Sequence, residues 1–273
     1  NRPTPVPESG GLRGNILGDT LVMPFNDVEA AERITRENRG EIAALIMEPI
    51  MFNIGCALPK PDYLKAIREI TEENDIVLIF DEVISGFRVA PGGAQEYYGV
   101  TPDMSTFAKA IANGFPLSAV AGRSDILEVT HPVHGSVLYG GTYNGNQISL
   151  AAASATLEEL RDGRVQEYLN HYVEKLAKGF SEIVEDAHVE ARIQGLGGEF
   201  QVYFTGEEVV DYRTAYRADG RRFTAFAEEM FRRGIYFLPN PMFHHGVSAA
   251  HGEEDLEKIL GAMEKAIDRV AQL

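Results

Sequence analysis

Apolar and polar positions change period along the chain, and each change marks an element. Residues 43–47 and 76–80 are short apolar runs without alternation, as in strands buried on both faces of a parallel sheet. Between them, over 61–74, Tyr63, Ile67 and Ile70 recur on one face while Lys65, Arg68 and Glu72 fall elsewhere, which predicts an amphipathic helix. Strand, helix and strand in such close succession make a βαβ unit and hence a parallel sheet. Further strands are expected over 104–108 and 117–121. Upstream, residues 1–20 are rich in Pro and Gly and predict an extended surface segment. Asn26, three residues before Glu29, predicts a capping box for the helix that follows.

The second half changes character. An Ala-rich helix is predicted from about 147 to 160, and an amphipathic one over 165–184 after the Asp162-Gly163 break. Strands at 198–205 and 235–238 with helices at 222–233 and 253–270 then form an α+β block. The pattern divides the chain near residue 150, inside the Ala-rich helix, into units 1–150 and 151–273.

Composition narrows the class. A hydrophobic content of 44% with 14 Phe in 273 residues supplies a core and excludes wholesale disorder. The net charge of −16 argues against nucleic acid or an anionic membrane as partner. No apolar run approaches the ~18 residues that a membrane helix needs. Cys56 is the only cysteine, so no intrachain disulfide is possible, and residues 1–7 carry no signal-peptide pattern. A cytoplasmic protein is expected.

Candidate chemistry gathers at two predicted strand ends. The run 76–80 delivers Asp81 and Glu82, and the run from Met104 delivers Lys109, the only charge between 104 and 120. In an open α/β sheet ligands sit beyond the carboxyl ends of the strands, so an acid and a lysine can meet there. Such a pair suits pyridoxal phosphate, with the lysine holding the aldehyde as a Schiff base and the acid keeping the pyridine nitrogen protonated. Two other readings stay open for Asp81-Glu82: a structural strand end, and a Walker B acid holding Mg²⁺ in a P-loop ATPase. The last requires a G-x-x-x-x-G-K-[ST] loop, which these residues lack. A lysine that snorkels at a strand terminus is the competing reading of Lys109.

Several blocks then carry a resemblance. Glu48-Pro49, Asn53, Asp81-Glu82-Val83, Gly86-Phe87-Arg88, the run from Gly92-Gly93-Ala94-Gln95-Glu96-Tyr97 to Asp103, Lys109 and Gly141-Thr142 resemble class III pyridoxal-phosphate-dependent aminotransferases. The likeness leans to the glutamate-1-semialdehyde 2,1-aminomutase-like branch. It implies fold type I, with a mostly parallel large domain up to about 150 and a small α+β C-terminal domain. It also implies pyridoxal 5'-phosphate as cofactor, Lys109 as the Schiff-base lysine and Asp81 as the partner of the pyridine nitrogen. Val83 would pack on the ring, Asn53 would lie near its phenolic oxygen, and Gly141 with Thr142 would reach the cofactor phosphate of the neighbouring subunit of a homodimer.

Ile84, where many members carry Gln, agrees with the aminomutase-like branch, but 52–55 and 141–147 differ from the usual aminomutase sequences. The expected activity is therefore amino transfer between an amine or amino acid and an oxo acid, with the aminomutase (an isomerase) as alternative. The family's N-terminal phosphate loop and ring-stacking aromatic are not among these residues, which implies weak cofactor binding by this chain alone. His131, His134 and Arg88 are substrate-contact candidates, as is Arg123, with structural ion pairs competing for both arginines. The H-x-x-H pair and the His244-His245-His251 group lack a matching Cys or Glu-bearing motif, so no metal is expected.

Overall fold

The computed structural model describes residues 3–7, 9–12 and 14–273. Part of the predicted extended start, residues 1, 2, 8 and 13, lies outside the described residues, and Gly14–Asp19 forms a 3₁₀ turn. The first sheet holds β1 (Ala44–Met47), β2 (Val77–Glu82), β3 (Met104–Phe107) and β4 (Ala119–Gly122) in that order. β1, β2 and β3 run parallel, whereas β4 returns antiparallel to β3. Helices α1 (Val28–Glu37) and α2 (Tyr63–Glu73) cover one face. There Leu78 and Phe80 of β2 pack with Phe25, Ala31, Tyr63, Leu64 and Ile67. Burying each such side chain contributes on the order of 2 kcal/mol.

Side chains alternate along a strand, so the other face carries Ile46, Ile79, Asp81, Thr106 and Val120 in register. It is open: Ile46 is 63% and Val120 43% exposed. Helix α3 (Gly93–Tyr98) begins at Glu82, and α4 (Ser124–Leu127) follows β4. Asp103 ties the sheet together, accepting from the Leu78 N–H (2.8 Å), Arg68 (2.9 Å) and Arg123 (3.1 Å).

Helix α5 (Gln147–Leu160) starts where the Asn146 side chain accepts the N–H groups of Ile148 and Ser149, and its Ala153 packs on Ile111 and Ala112. After α6 (Arg164–Asp186) come β5 (Arg192–Leu196), β6 (Glu199–Tyr203), α7 (Tyr212–Arg217), α8 (Gly220–Arg232), β7 (His245–Gly246) and α9 (Glu253–Val270). β5, β6 and β7 form an antiparallel sheet packed with α6, α8 and α9 around Leu176, Phe180, Phe226, Met230 and Met263. Gly197 and Gly198 (φ +68° and +82°) make the tight β5–β6 turn, a conformation that suits glycine. A Cβ on Gly197 would also sit 2.6 Å from Val89. Among the described residues no helix is long and apolar enough to cross a membrane.

Two expectations need correction, and one strand was not expected. Asp27, not Asn26, caps α1 by accepting the Ala30 N–H (2.9 Å). Asn26 instead bridges distant loops, donating to the Leu58 and Val210 carbonyls and accepting the Lys60 N–H. Residues 235–238 are not a strand. Their alternation reflects Phe237 dipping into the core, while the Ile235 and Leu238 N–H groups bond the end of α8 and a His245 ring nitrogen. β5, which the sequence does not announce, carries Arg192, Gln194 and Gly195, and pairing along its whole length with the buried β6 specifies it.

Candidate active site

The three parallel strands end on one edge, where an open sheet presents its ligands. Register puts Asp81 beside Thr106, whose hydroxyl donates to Asp81 Oδ1 (3.2 Å). The Val83 N–H donates to the same oxygen (3.1 Å), and among the described residues Oδ2 has no partner. The half-buried carboxylate is thus aimed with one oxygen free. Glu82 points the other way. It is fully buried and accepts from Ser85 Oγ (2.8 Å), the Ala94 N–H (2.7 Å), the Gln95 N–H (3.0 Å) and Gln95 Nε2 (3.2 Å), fastening α3 to β2. A Cβ on Gly93 (φ +77°) would meet its Oε2 at 2.4 Å. With both oxygens engaged, Glu82 has nothing left for Mg²⁺.

Val83 is half-buried like Asp81, with buried neighbours in Glu82 and Ile84. Lys109 is exposed and opens a 3₁₀ turn just past β3 with φ +46°, a left-handed conformation uncommon outside glycine. It follows Thr106 by three residues, a chain path of at most about 10 Å. The structure therefore brings the acid and the lysine to one end of adjacent strands.

The turn after β1 adds Asn53, exposed on a 3₁₀ segment over Phe52–Ile54. Its Nδ2 donates to Glu48 Oε1 (3.0 Å), and the Phe52 N–H donates to Glu48 Oε2 (3.1 Å). Burial, reinforced by the nearby negative Asp81, raises the Glu48 carboxyl above its ordinary value against those two hydrogen bonds. The tail grips the same turn: Tyr203 Oη donates to the Ile54 carbonyl (2.8 Å) and accepts the Cys56 N–H (2.6 Å), and His244 Nδ1 bonds the Phe52 carbonyl (3.0 Å).

Arg88 is engaged, its Nε 2.8 Å from Glu199 Oε1 and its Nη1 donating to the Ile84 carbonyl (2.7 Å). That is the structural ion pair rather than a free guanidinium awaiting substrate. Burial raises the Glu199 carboxyl above its ordinary value, with Arg88, His244 and Lys109 pulling it back. Arg123 is likewise committed, to Asp103 and Asp125.

Gly141 and Thr142 stand apart in an exposed loop before α5. Gly141 accepts the Asn144 N–H (3.0 Å), and among the described residues Thr142 makes no hydrogen bond. Leu138 (99% exposed) and Tyr143 (84%) flank them. His131 and His134 stack with centroids 3.7 Å apart, and His134 Nε2 lies 2.5 Å from Glu128 Oε1. Glu128 is the third potential metal donor that the sequence reading passed over, the three ligand atoms lying within 4.8 Å of one another.

Comparison with known proteins now bears on this geometry. The sequence model of the aminotransferase class-III family matches residues 16–267. The chain belongs to the class-III aminotransferase family. Similar curated relatives are the glutamate-1-semialdehyde 2,1-aminomutases of Methanocaldococcus jannaschii (40% identical over 262 residues, 96% of this chain and 61% of the relative) and Methanothermobacter thermautotrophicus (42%, 96% and 62%). The chain thus spans about three fifths of these relatives' length. Among solved structures, an omega-transaminase from Sphaerobacter thermophilus superposes with a TM-score of 0.91 at 31% identity, covering 98% of this chain and 61% of that one. A glutamate-1-semialdehyde aminomutase from Pseudomonas aeruginosa PAO1 gives 0.80 at 25%, covering 91% and 56%. The fold is therefore type I, as the resemblance implies.

Within this class-III frame, sequence reasoning missed Thr106, Glu199, His244 and the carboxyl of Glu48. Glu48 alone had a signal: it follows the first apolar run as Asp81 follows the second. The others depend on which chains become neighbours.

Proposed function

We propose that Asp81 and Lys109 form the two ends of a pyridoxal 5'-phosphate site in an aminotransferase moving an amino group between an amine or amino acid and an oxo acid. The observation that carries this reading is the free Oδ2 of Asp81, on a carboxylate whose other oxygen is held, with Lys109 leaving the adjacent parallel strand. These residues fit the cofactor in kind: an oriented anion for a pyridinium and an exposed amine just past the adjacent strand. When bound, the cofactor supplies an electron sink for the substrate Cα. Asp81 keeps the ring nitrogen protonated through its negative charge. Lys109 would hold the aldehyde end and offer a neutral amine to the Cα proton. Val83 would lie against the ring, and Asn53 would face its phenolic oxygen.

Gly141 and Thr142 belong to the same reading, giving N–H and hydroxyl donors to the phosphate of a second copy's cofactor in a homodimer. The exposed Leu138 and Tyr143 support a partner covering that loop. His131 and His134 are substrate-contact candidates on its approach. The chain would divide near residue 150, with its two largest clusters on either side of α5 and a smaller one of Ile54, Ala57, Tyr203 and Ala215 shared across that point. A cytoplasmic location accords with the single, buried Cys56. Borohydride reduction of the cofactor-loaded full-length protein should leave the phosphopyridoxyl group on Lys109. Its recovery on any other lysine overturns the assignment.

A 2,1-aminomutase is the second reading, favoured by the names of the relatives at 40–42% identity. It uses the same residues but keeps the nitrogen on one substrate. Product formed without added oxo acid supports it, and strict dependence on an oxo acid supports transamination.

A further inference from the structure

Parallel pairing of Met47 with Phe80 makes Glu48 the next residue across from Asp81, at the tips of β1 and β2. Met47 and Phe80 belong to the helix-covered core, so the residues after them turn toward the open, Asp81-bearing face. The negative charge of Asp81 is among the influences on the Glu48 carboxyl, which is half-buried. Both of its oxygens are used within one turn, on the Phe52 N–H and on Asn53 Nδ2. Holding one amide hydrogen of Asn53 leaves the second hydrogen and Oδ1 without a protein partner among the described residues. The backbone on either side is pinned by His244 at the Phe52 carbonyl and by Tyr203 at Ile54 and Cys56. An exposed asparagine would otherwise sample several rotamers; here its carboxamide has one anchored end and one presented end.

We propose that Glu48 is a positioning residue, which fixes the Asn53 carboxamide so that its remaining N–H meets the phenolic oxygen of the bound cofactor. This rests on the cofactor reading of Asp81 and Lys109 and adds to it a residue that touches no cofactor atom itself. A bare turn cap would serve the main chain through Phe52 alone. The bond to the Asn53 side chain distinguishes positioning from capping.

The test uses the cofactor-loaded full-length protein, its E48A, E48Q and N53A variants and the double variant. Cofactor affinity, the pH midpoint of the visible absorbance change and borohydride labelling are measured for each. N53A should weaken cofactor binding about tenfold and move the midpoint to higher pH, because a phenolate that loses a donor holds a nearby proton more tightly. E48A should reproduce both effects, and the double variant should add nothing to either single change. E48Q, which keeps an acceptor oxygen for Asn53, should retain most of the wild-type affinity. Thermal melts of the apo forms report any loss of folding separately. A wild-type midpoint in E48A with Lys109 still labelled, or additive effects of E48A and N53A, overturns the inference and leaves the cofactor reading standing. Absence of label on Lys109 in the wild type overturns both.

Discussion

Tyr203 shows how much one hydroxyl decides at the scale of the residue. Fully buried on β6, it supplies the donor for the Ile54 carbonyl and the acceptor for the Cys56 N–H, and so hangs the Asn53 turn from the tail. A Cβ on Gly55 (φ +99°) would come within 2.2 Å of that hydroxyl, so the turn closes only with glycine there. Tyr203→Phe leaves a buried carbonyl and a buried N–H unpaired, and should cost about 2 kcal/mol in denaturant unfolding. The same variant should weaken cofactor binding in the full-length protein, measured by titration, because the turn bearing Asn53 loosens. Asp81 and Lys109 stood out in the sequence because charges are rare at the ends of apolar runs. No local pattern separated Asp81 from Glu82, and only the resemblance singled out Asp81; strand alternation, which buries one and opens the other, supplies the physical reason.

At the scale of elements, β7 is short and owes its place to His245. Its ring stacks on Phe237 with centroids 4.2 Å apart, Nε2 accepts the Leu238 N–H (3.1 Å), and Nδ1 bonds Gln201 Oε1 (3.1 Å). Burial lowers its pKa to about 4, with neighbouring His244 acting the same way. A histidine with an unfolded pKa near ~6.5 then binds its proton in the unfolded state first. Stability is complete above that value and falls as pH drops toward 4, by up to about 3 kcal/mol. His245→Phe should flatten that part of the stability–pH curve, read by urea unfolding between pH 7 and pH 4. The Ala-rich α5 could be read almost to the residue from helix propensity, and α9 from its period, where many positions vote for one answer. The segment 235–238 could not, because alternate burial against a core mimics a strand when no neighbour offers a ladder.

For the whole molecule, the open face of the first sheet is the telling feature. Parallel strands normally have both faces covered, yet Ile46 and Val120 are exposed on the face that bears Asp81. A cleft of about 1040 Å³ lies along β1 between that edge and residues 18–25. The chain spans about three fifths of its curated relatives' length. In sedimentation, the full-length protein should run as a dimer that Tyr143→Asp weakens, since a charge at an exposed aromatic of the Gly141-Thr142 loop opposes burial there.

The amino-acid sequence by itself determined the chemistry available, an acid and a lysine at the ends of apolar runs, together with the βαβ order and the helices that carry it. These are local properties, set by residue type and by period. The folded chain alone decided that Glu82 is spent on α3, that Thr106 and Val83 leave Oδ2 of Asp81 free, and that Arg88 is paired with Glu199. Such choices arise from register and from contacts between residues far apart in the chain, which no local pattern encodes.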